Sequence, residues 1–223
     1  MVEAQHKIST SRLADNPLDE ERLEGLVERV KPEVPAAAAK LHYLLRTPFR
    51  YGFQRASRFR RAEDRPGIFY ASEHLETCLA EAAYWRCHFF AASPGVLLPT
   101  TTAEYLAFTV AVSSGKALDL TALPFLKSRS LWTRSNDYRP CQDFAAAART
   151  IEAALIRYES VRDAKARANV AILDPSIFTD KVPRSQQGWH LRFQDEGLTA
   201  IASAPSMLRY RFTFAQFGLA ALR

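Results

Sequence analysis

Residues 57–86 hold the chain's densest chemistry: SRFRRAEDRPGIFYASEHLETCLAEAAYWR. Arg58 and Arg60 stand in a basic loop, Tyr70 ends a short apolar run, and Glu81 follows eleven residues later. Guanidinium forks match phosphate oxygens. A phenol ring at a strand end can stack on a flat heterocycle. A carboxylate can stabilise a cationic sugar transition state or act as a base. A ligand with a diphosphate, a flat ring and a ribose that becomes cation-like would engage all three, and NAD⁺ has each of these parts.

The commoner signatures are missing. The sequence contains no GxxxxGK[ST] phosphate loop and no GxGxxG; its eight glycines make a Rossmann site a poor fit. It contains no HExxH and no GxSxG. His6, His42, His74, His88 and His190 are scattered, and His74, Cys78 and His88 fall on different faces of one helix, so no metal is expected. Cys78, Cys87 and Cys141 read as buried thiols rather than a disulfide framework.

The net charge of +6 favours anionic partners. Six arginines (Arg50, Arg55, Arg58, Arg60, Arg61 and Arg65) fall within 16 residues, opposed only by Glu63 and Asp64. A solvated basic loop has the same appearance. No apolar run is long enough to span a membrane, and the polar N-terminus lacks a signal-peptide core, so a cytoplasmic protein is expected.

The elements that must position these residues read as follows. Residues 1–40 form an N-terminal extension, with Leu18, Leu23, Leu26 and Val30 on one face of a helix and a Pro-broken stretch after it. Gly67–Ser72 reads as a buried strand. Ser72 then caps a helix from Glu73 to Phe90 whose core stripe is Leu75, Cys78, Leu79, Ala82 and Ala83; Glu81 lies off that stripe. Tyr105–Val112 and Ala117–Leu120 resemble a hairpin around Ser113-Ser114-Gly115. Trp132–Tyr138 is a polar loop, and Gln142–Arg157 an amphipathic helix with Phe144, Ala147, Ala148, Ile151, Ala154 and Leu155 on one face. Val170–Leu173 is a strand. Trp189–Phe193 and Leu198–Ala202 flank a turn at Asp195-Glu196-Gly197, and Met207–Phe214 alternates with Leu208, Tyr210, Phe212 and Phe214 inward. Short strands with two main helices predict a mixed α+β fold. Trp85 and Trp132 read as packing residues.

In order, SRFRR, GIFY70, LAE81AAY, YES160VRD, N169VAILDP and QQGW189HL resemble the motifs of the RES family, named for Arg, Glu and Ser residues. The likeness covers roughly residues 45–215. It departs at one point: the glycine-rich loop usual before the family's strand is here the Arg-rich SRFRR, so Arg58 and Arg60 compete for the family's Arg position, with Arg58 favoured because an aromatic follows it.

The resemblance implies a single domain over 41–223, related in fold to ADP-ribosyltransferases, and a toxin paired with an Xre-like antitoxin protein. It implies NAD⁺ as substrate, Glu81, Arg58, Tyr70 and Ser160 as catalytic residues, and Arg58, Arg60, Tyr70, Ser160 and Asn169 as the NAD⁺-binding set. Ser160 is expected to contact nicotinamide or ribose. The expected reaction is cleavage of the nicotinamide–ribose bond with transfer of ADP-ribose to a protein target; phosphorolysis or hydrolysis of NAD⁺ is the alternative. Nucleic acid is expected only indirectly, through the antitoxin. The rival from another class is a basic nucleic-acid-binding module, although no helix-turn-helix, zinc-finger or RNP-type pattern accompanies the charge. An inactive scaffold is a further alternative.

Overall fold

The computed structural model describes residues 1–4, 13–93, 95–194 and 196–220. His6 and Asp195, both singled out in the sequence, lie outside the described residues. In chain order the elements are β1 (Val2–Glu3), α1 (Pro17–Val30), α2 (Tyr43–Arg50), β2 (Phe69–Ser72), α3 (Leu75–Ala91), β3 (Ala103–Thr109), β4 (Ala117–Asp119), α4 (Arg129–Trp132), α5 (Arg139–Thr150), β5 (Leu155–Glu159), β6 (Ala168–Ile172), β7 (Ser185–Gln194), β8 (Gly197–Ala202) and β9 (Arg209–Thr213). The fold is mixed α+β, as the pattern of short strands and helices predicts.

The strands form two sheets. An antiparallel sheet of five runs β1-β3-β7-β8-β9; a mixed sheet of four runs β2-β6-β5-β4, with only the β4–β5 pair parallel. α3 packs on the five-stranded sheet. Its Leu79, Ala83 and Cys87 meet Trp189, Leu191, Phe193, Leu198 and Phe212. α5 covers one face of the four-stranded sheet through Cys141, Ala145 and Ala148 against Ile156, Tyr158 and Ala171. Leu45 and Phe49 of α2 close the opposite face with Phe69, Ile172, Ile177 and Phe178. Strands β5 and β6 are therefore covered on both sides, which is why β6 reads as a near-continuous apolar run rather than an alternation.

Several sequence expectations change. The 105–120 region is not a hairpin: β3 joins the five-stranded sheet, whereas β4 pairs with β5 in the other. The turn residues are a crossover between sheets. The predicted long helix stops at Thr150, where Glu152 takes a left-handed conformation (φ 54°) and Ala153 N–H closes back on Ala148 O. Leu155 onward then pairs as β5, because two neighbouring strands satisfy its backbone groups and bury Ile156 completely. Ile151, expected in the core, is exposed. Ser72 does not cap α3; the helix starts later, with His74 at the cap position and no side-chain cap bond. In the last strand Phe212 and Phe214 are buried as expected, but Leu208 is exposed.

α1 forms where the apolar spacing predicts it, capped by Asn16, whose side chain accepts from Asp19 N–H. It buries none of its residues. The core reaches back to Ala38, inside the segment read as an extension. Gly67 lets the chain entering β2 press against the end of α2: a Cβ there would stand 1.9 Å from Pro48 O. Among the described residues, no helix is long and apolar enough to cross a membrane.

Candidate active site

The register of the four-stranded sheet builds the floor of the site. Ser72 on β2 faces Asn169 on β6, which in turn faces Tyr158 on β5, so the three stand in a row. Ser72 Oγ donates to Asn169 Oδ1 at 2.6 Å. This leaves the Asn169 amide to donate elsewhere, and its Nδ2 reaches Glu81 Oε1 at 2.7 Å. Ser160, just past the end of β5, donates its Oγ to the same oxygen at 2.7 Å. Glu81 is thus aimed by two donors, both on Oε1.

Ser160 is itself fixed. Its Oγ accepts from the backbone N–H groups of Arg162 and Asp163, each at 3.2 Å. Asp163 then ties this turn to α3 by accepting from Thr77 Oγ1 at 2.6 Å, and it also accepts from Arg167 Nε at 2.6 Å. Burial alone would raise the Asp163 carboxyl, but the bonds from Arg167 and Thr77 outweigh it and hold it at about 2.

A cavity of about 270 Å³ opens beside Glu81, at the small end of the size range of ligand pockets. Arg58, Tyr70, Glu81 and Asn169 line it, along with Ser57, Cys78, Trp85, Tyr138, Tyr158 and Arg162. Four sequence-predicted residues are therefore brought together. Ser160 is not on the cavity wall: it is buried and meets the site through its hydrogen bond to Glu81. Arg60 is absent from the wall as well. Its guanidinium donates to the carbonyls of Phe53, Arg55 and Arg61, stapling its own loop. The spacing that made Arg60 a candidate says nothing about its direction, and three nearby carbonyls take its donors.

Tyr70 differs from a plain stacking platform. Its ring lines the cavity and the residue is 37% exposed. Its hydroxyl, however, is tucked under the basic loop, accepting from Phe59 N–H at 3.0 Å and sharing a 2.9 Å hydrogen bond with Ser57 Oγ. Burial pushes this phenol's pKa up. Tyr158 is likewise pushed well above its ordinary value, by burial first and then by the Glu81 carboxylate, so it stays a neutral hydroxyl beside the acid.

The face of α3 expected to be core is partly cavity wall. Cys78 and Ala82 line the cavity with Glu81, and the buried stripe is rotated to Thr77, Leu79, Ala80, Ala83, Tyr84 and Cys87. Leu75 is exposed. Trp85, read as packing, is 50% exposed at the cavity. Trp132 does pack, against Phe144, with its Nε1 on Phe125 O. Of the cysteines, Cys87 and Cys141 are buried while Cys78 is half-buried.

Sequence reasoning passed over Arg162 and Tyr138. Arg162 is 9% exposed; its guanidinium lies 3.5 Å from the centre of the Tyr84 ring. The one available signal was its place two residues after Ser160.

The geometry thus defines an α+β domain whose cavity, at one end of the four-stranded sheet, sets buried guanidinium groups and a tyrosine around a doubly held glutamate. The RES domain family model matches residues 33–194, and the chain belongs to that family. Strands β8 and β9 lie beyond the matched segment yet complete the five-stranded sheet. RES domains are toxin-like, NAD-related proteins generally associated with NAD-using enzymatic activity. None of the curated proteins searched matches the chain.

Proposed function

We propose that this protein breaks the nicotinamide–ribose bond of NAD⁺ and passes ADP-ribose to a protein acceptor, acting as a growth-inhibiting toxin held in check by an Xre-like antitoxin. The observation that carries the reading is the Glu81 carboxylate, held by Ser160 and Asn169 through one oxygen at the wall of a cavity shared with Arg58 and Tyr70.

In this reading the nicotinamide ring enters against Tyr70 and the ribose lies over Glu81. The C–N bond breaks with its electron pair going to nicotinamide, which leaves neutral. Positive charge builds on the ribose, and the fixed carboxylate stabilises it without reorganising. An acceptor nucleophile then bonds to the same carbon and loses its proton, for which Glu81 is the nearby base. Ser160 is a positioning residue, acting on Glu81. Arg58 serves the phosphates, as the sequence suggests.

A second reading has its own support. Among the described residues, the cavity is lined by buried arginines and one acid, which also suits a free phosphate acceptor; phosphorolysis of NAD⁺ is the alternative. The nucleic-acid-binding reading loses ground, because Arg58 and Arg60 are turned inward and bonded to carbonyls rather than forming an outward stripe. Incubating the protein with adenine-labelled NAD⁺ and a cell extract tests the proposal. Nicotinamide release with label on a discrete protein supports transfer. Release with label only in small molecules replaces transfer with degradation, and no release refutes the NAD⁺ chemistry.

A further inference from the structure

Two buried cations at the cavity share one scaffold. Arg58, 8% exposed, donates through Nη1 to Trp132 O and Arg134 O, both at 2.9 Å. Arg162 donates through Nη2 to Ser135 O at 2.8 Å. Segment 132–135 thus holds both guanidinium groups by neutral carbonyls. Each also lies on an aromatic face: Arg58 is 4.6 Å from the centre of the Tyr138 ring, and Arg162 is 3.5 Å from that of Tyr84. These contacts set direction without neutralising charge. Among the described residues, neither arginine has a carboxylate within ion-pair distance, whereas Arg50, Arg61, Arg129, Arg157, Arg167 and Arg184 each do. Keeping two uncompensated cations out of water is costly unless an anion completes the site. Both line the cavity beside Glu81, whose single charge cannot balance them.

We propose that Arg58 and Arg162, held by segment 132–138, clamp the diphosphate of a dinucleotide, with Arg162 taking the second phosphate-binding place that the sequence offered to Arg60. The inference rests on the NAD⁺ reading for its natural ligand, but the clamp itself is defined by the anion. A diphosphate supplies two negative charges on adjacent phosphoryl groups, one for each guanidinium fork. Segment 132–138 then acts as part of the binding site, although it touches the phosphates only through the arginines it aims.

Calorimetric titration with NAD⁺, ADP, inorganic pyrophosphate, inorganic phosphate, adenosine and nicotinamide riboside tests this. Wild type should bind ADP and pyrophosphate in competition with NAD⁺ and bind adenosine far more weakly. Arg162→Gln should weaken NAD⁺, ADP and pyrophosphate about ten- to hundredfold, the size of one or two charge-assisted hydrogen bonds, and leave nicotinamide riboside unchanged. Arg162→Lys, which keeps the charge but not the fork, should fall between. Unchanged pyrophosphate and ADP affinity in Arg162→Gln overturns the clamp while leaving NAD⁺ binding intact. Binding of pyrophosphate without binding of NAD⁺ keeps the clamp and refutes the NAD⁺ reading. Phosphate competing as well as pyrophosphate overturns the diphosphate assignment in favour of a free-phosphate seat. Should Arg162→Gln not fold, equal wild-type affinity for ADP and adenosine overturns the proposal without it.

Discussion

Replacing Glu81 by Gln separates charge from shape. Gln keeps an Oε1 that can accept from Ser160 and Asn169, so the two 2.7 Å bonds survive in weaker, neutral form. Exchanging charge-assisted for neutral bonds costs about 1 kcal/mol, a loss of about 3 °C in melting temperature for a chain of this size. The catalytic loss is much larger. A carboxylate about 4 Å from a developing ribosyl cation, at an effective dielectric of about 20, contributes about 4 kcal/mol. The open cavity mouth reduces this somewhat, so nicotinamide release should fall about 10²–10³-fold. The fall should be in kcat, with KM little changed, because the charge matters most in the transition state. Ser160→Ala removes one of the two aiming bonds and should cost about tenfold in kcat at unchanged KM. The assay is nicotinamide release by chromatography, alongside a thermal melt. A folded Glu81→Gln protein releasing nicotinamide within a few-fold of the wild-type rate would refute the assignment of Glu81.

Four further outcomes are expected. Because the Asp163 carboxyl is held near 2, below its ordinary 3.8, its stabilisation is full above about pH 4 and disappears as pH falls through about 2; Asp163→Asn should flatten that part of an acid-denaturation curve, and an unchanged curve would contradict it. Gly67→Ala drives a Cβ to 1.9 Å from Pro48 O and should cost about 3 kcal/mol or more, read as a lower urea midpoint at unchanged slope. Burial pushes the Cys87 thiol up to about 12, and Cys141 is raised too, so iodoacetamide at pH 8 should label half-buried Cys78 first; NAD⁺ should protect Cys78, and labelling of Cys87 at the same rate would count against this packing. Arg60→Ala should lower the melting temperature more than it raises KM, the reverse of Arg58→Ala, because the Arg60 guanidinium donates to the carbonyls of Phe53, Arg55 and Arg61 in its own loop.

The sequence by itself determined the local part of the site. Tyr70 and Glu81 lie eleven residues apart on a strand and the helix after it, so their meeting is a property of one short segment. The same holds for the β7–β8 pairing and for the mixed α+β class, which follow from alternation and helical spacing over ten or so residues. Only the tertiary structure decided what depends on partners far along the chain. Leu155 left the helical pattern because β4 and β6 were waiting to pair with its strand. The 105–120 strands separated because each found a better neighbour in a different sheet. Cys78 and Ala82 became cavity wall because the five-stranded sheet covers the adjacent face of their helix. Arg58 and Arg60, two residues apart in one basic loop, took opposite fates for the same physical reason. A guanidinium goes where carbonyls accept it: those of 53–61 turn Arg60 into its own loop, and those of 132–134 bring Arg58 to the cavity that it shares with Arg162.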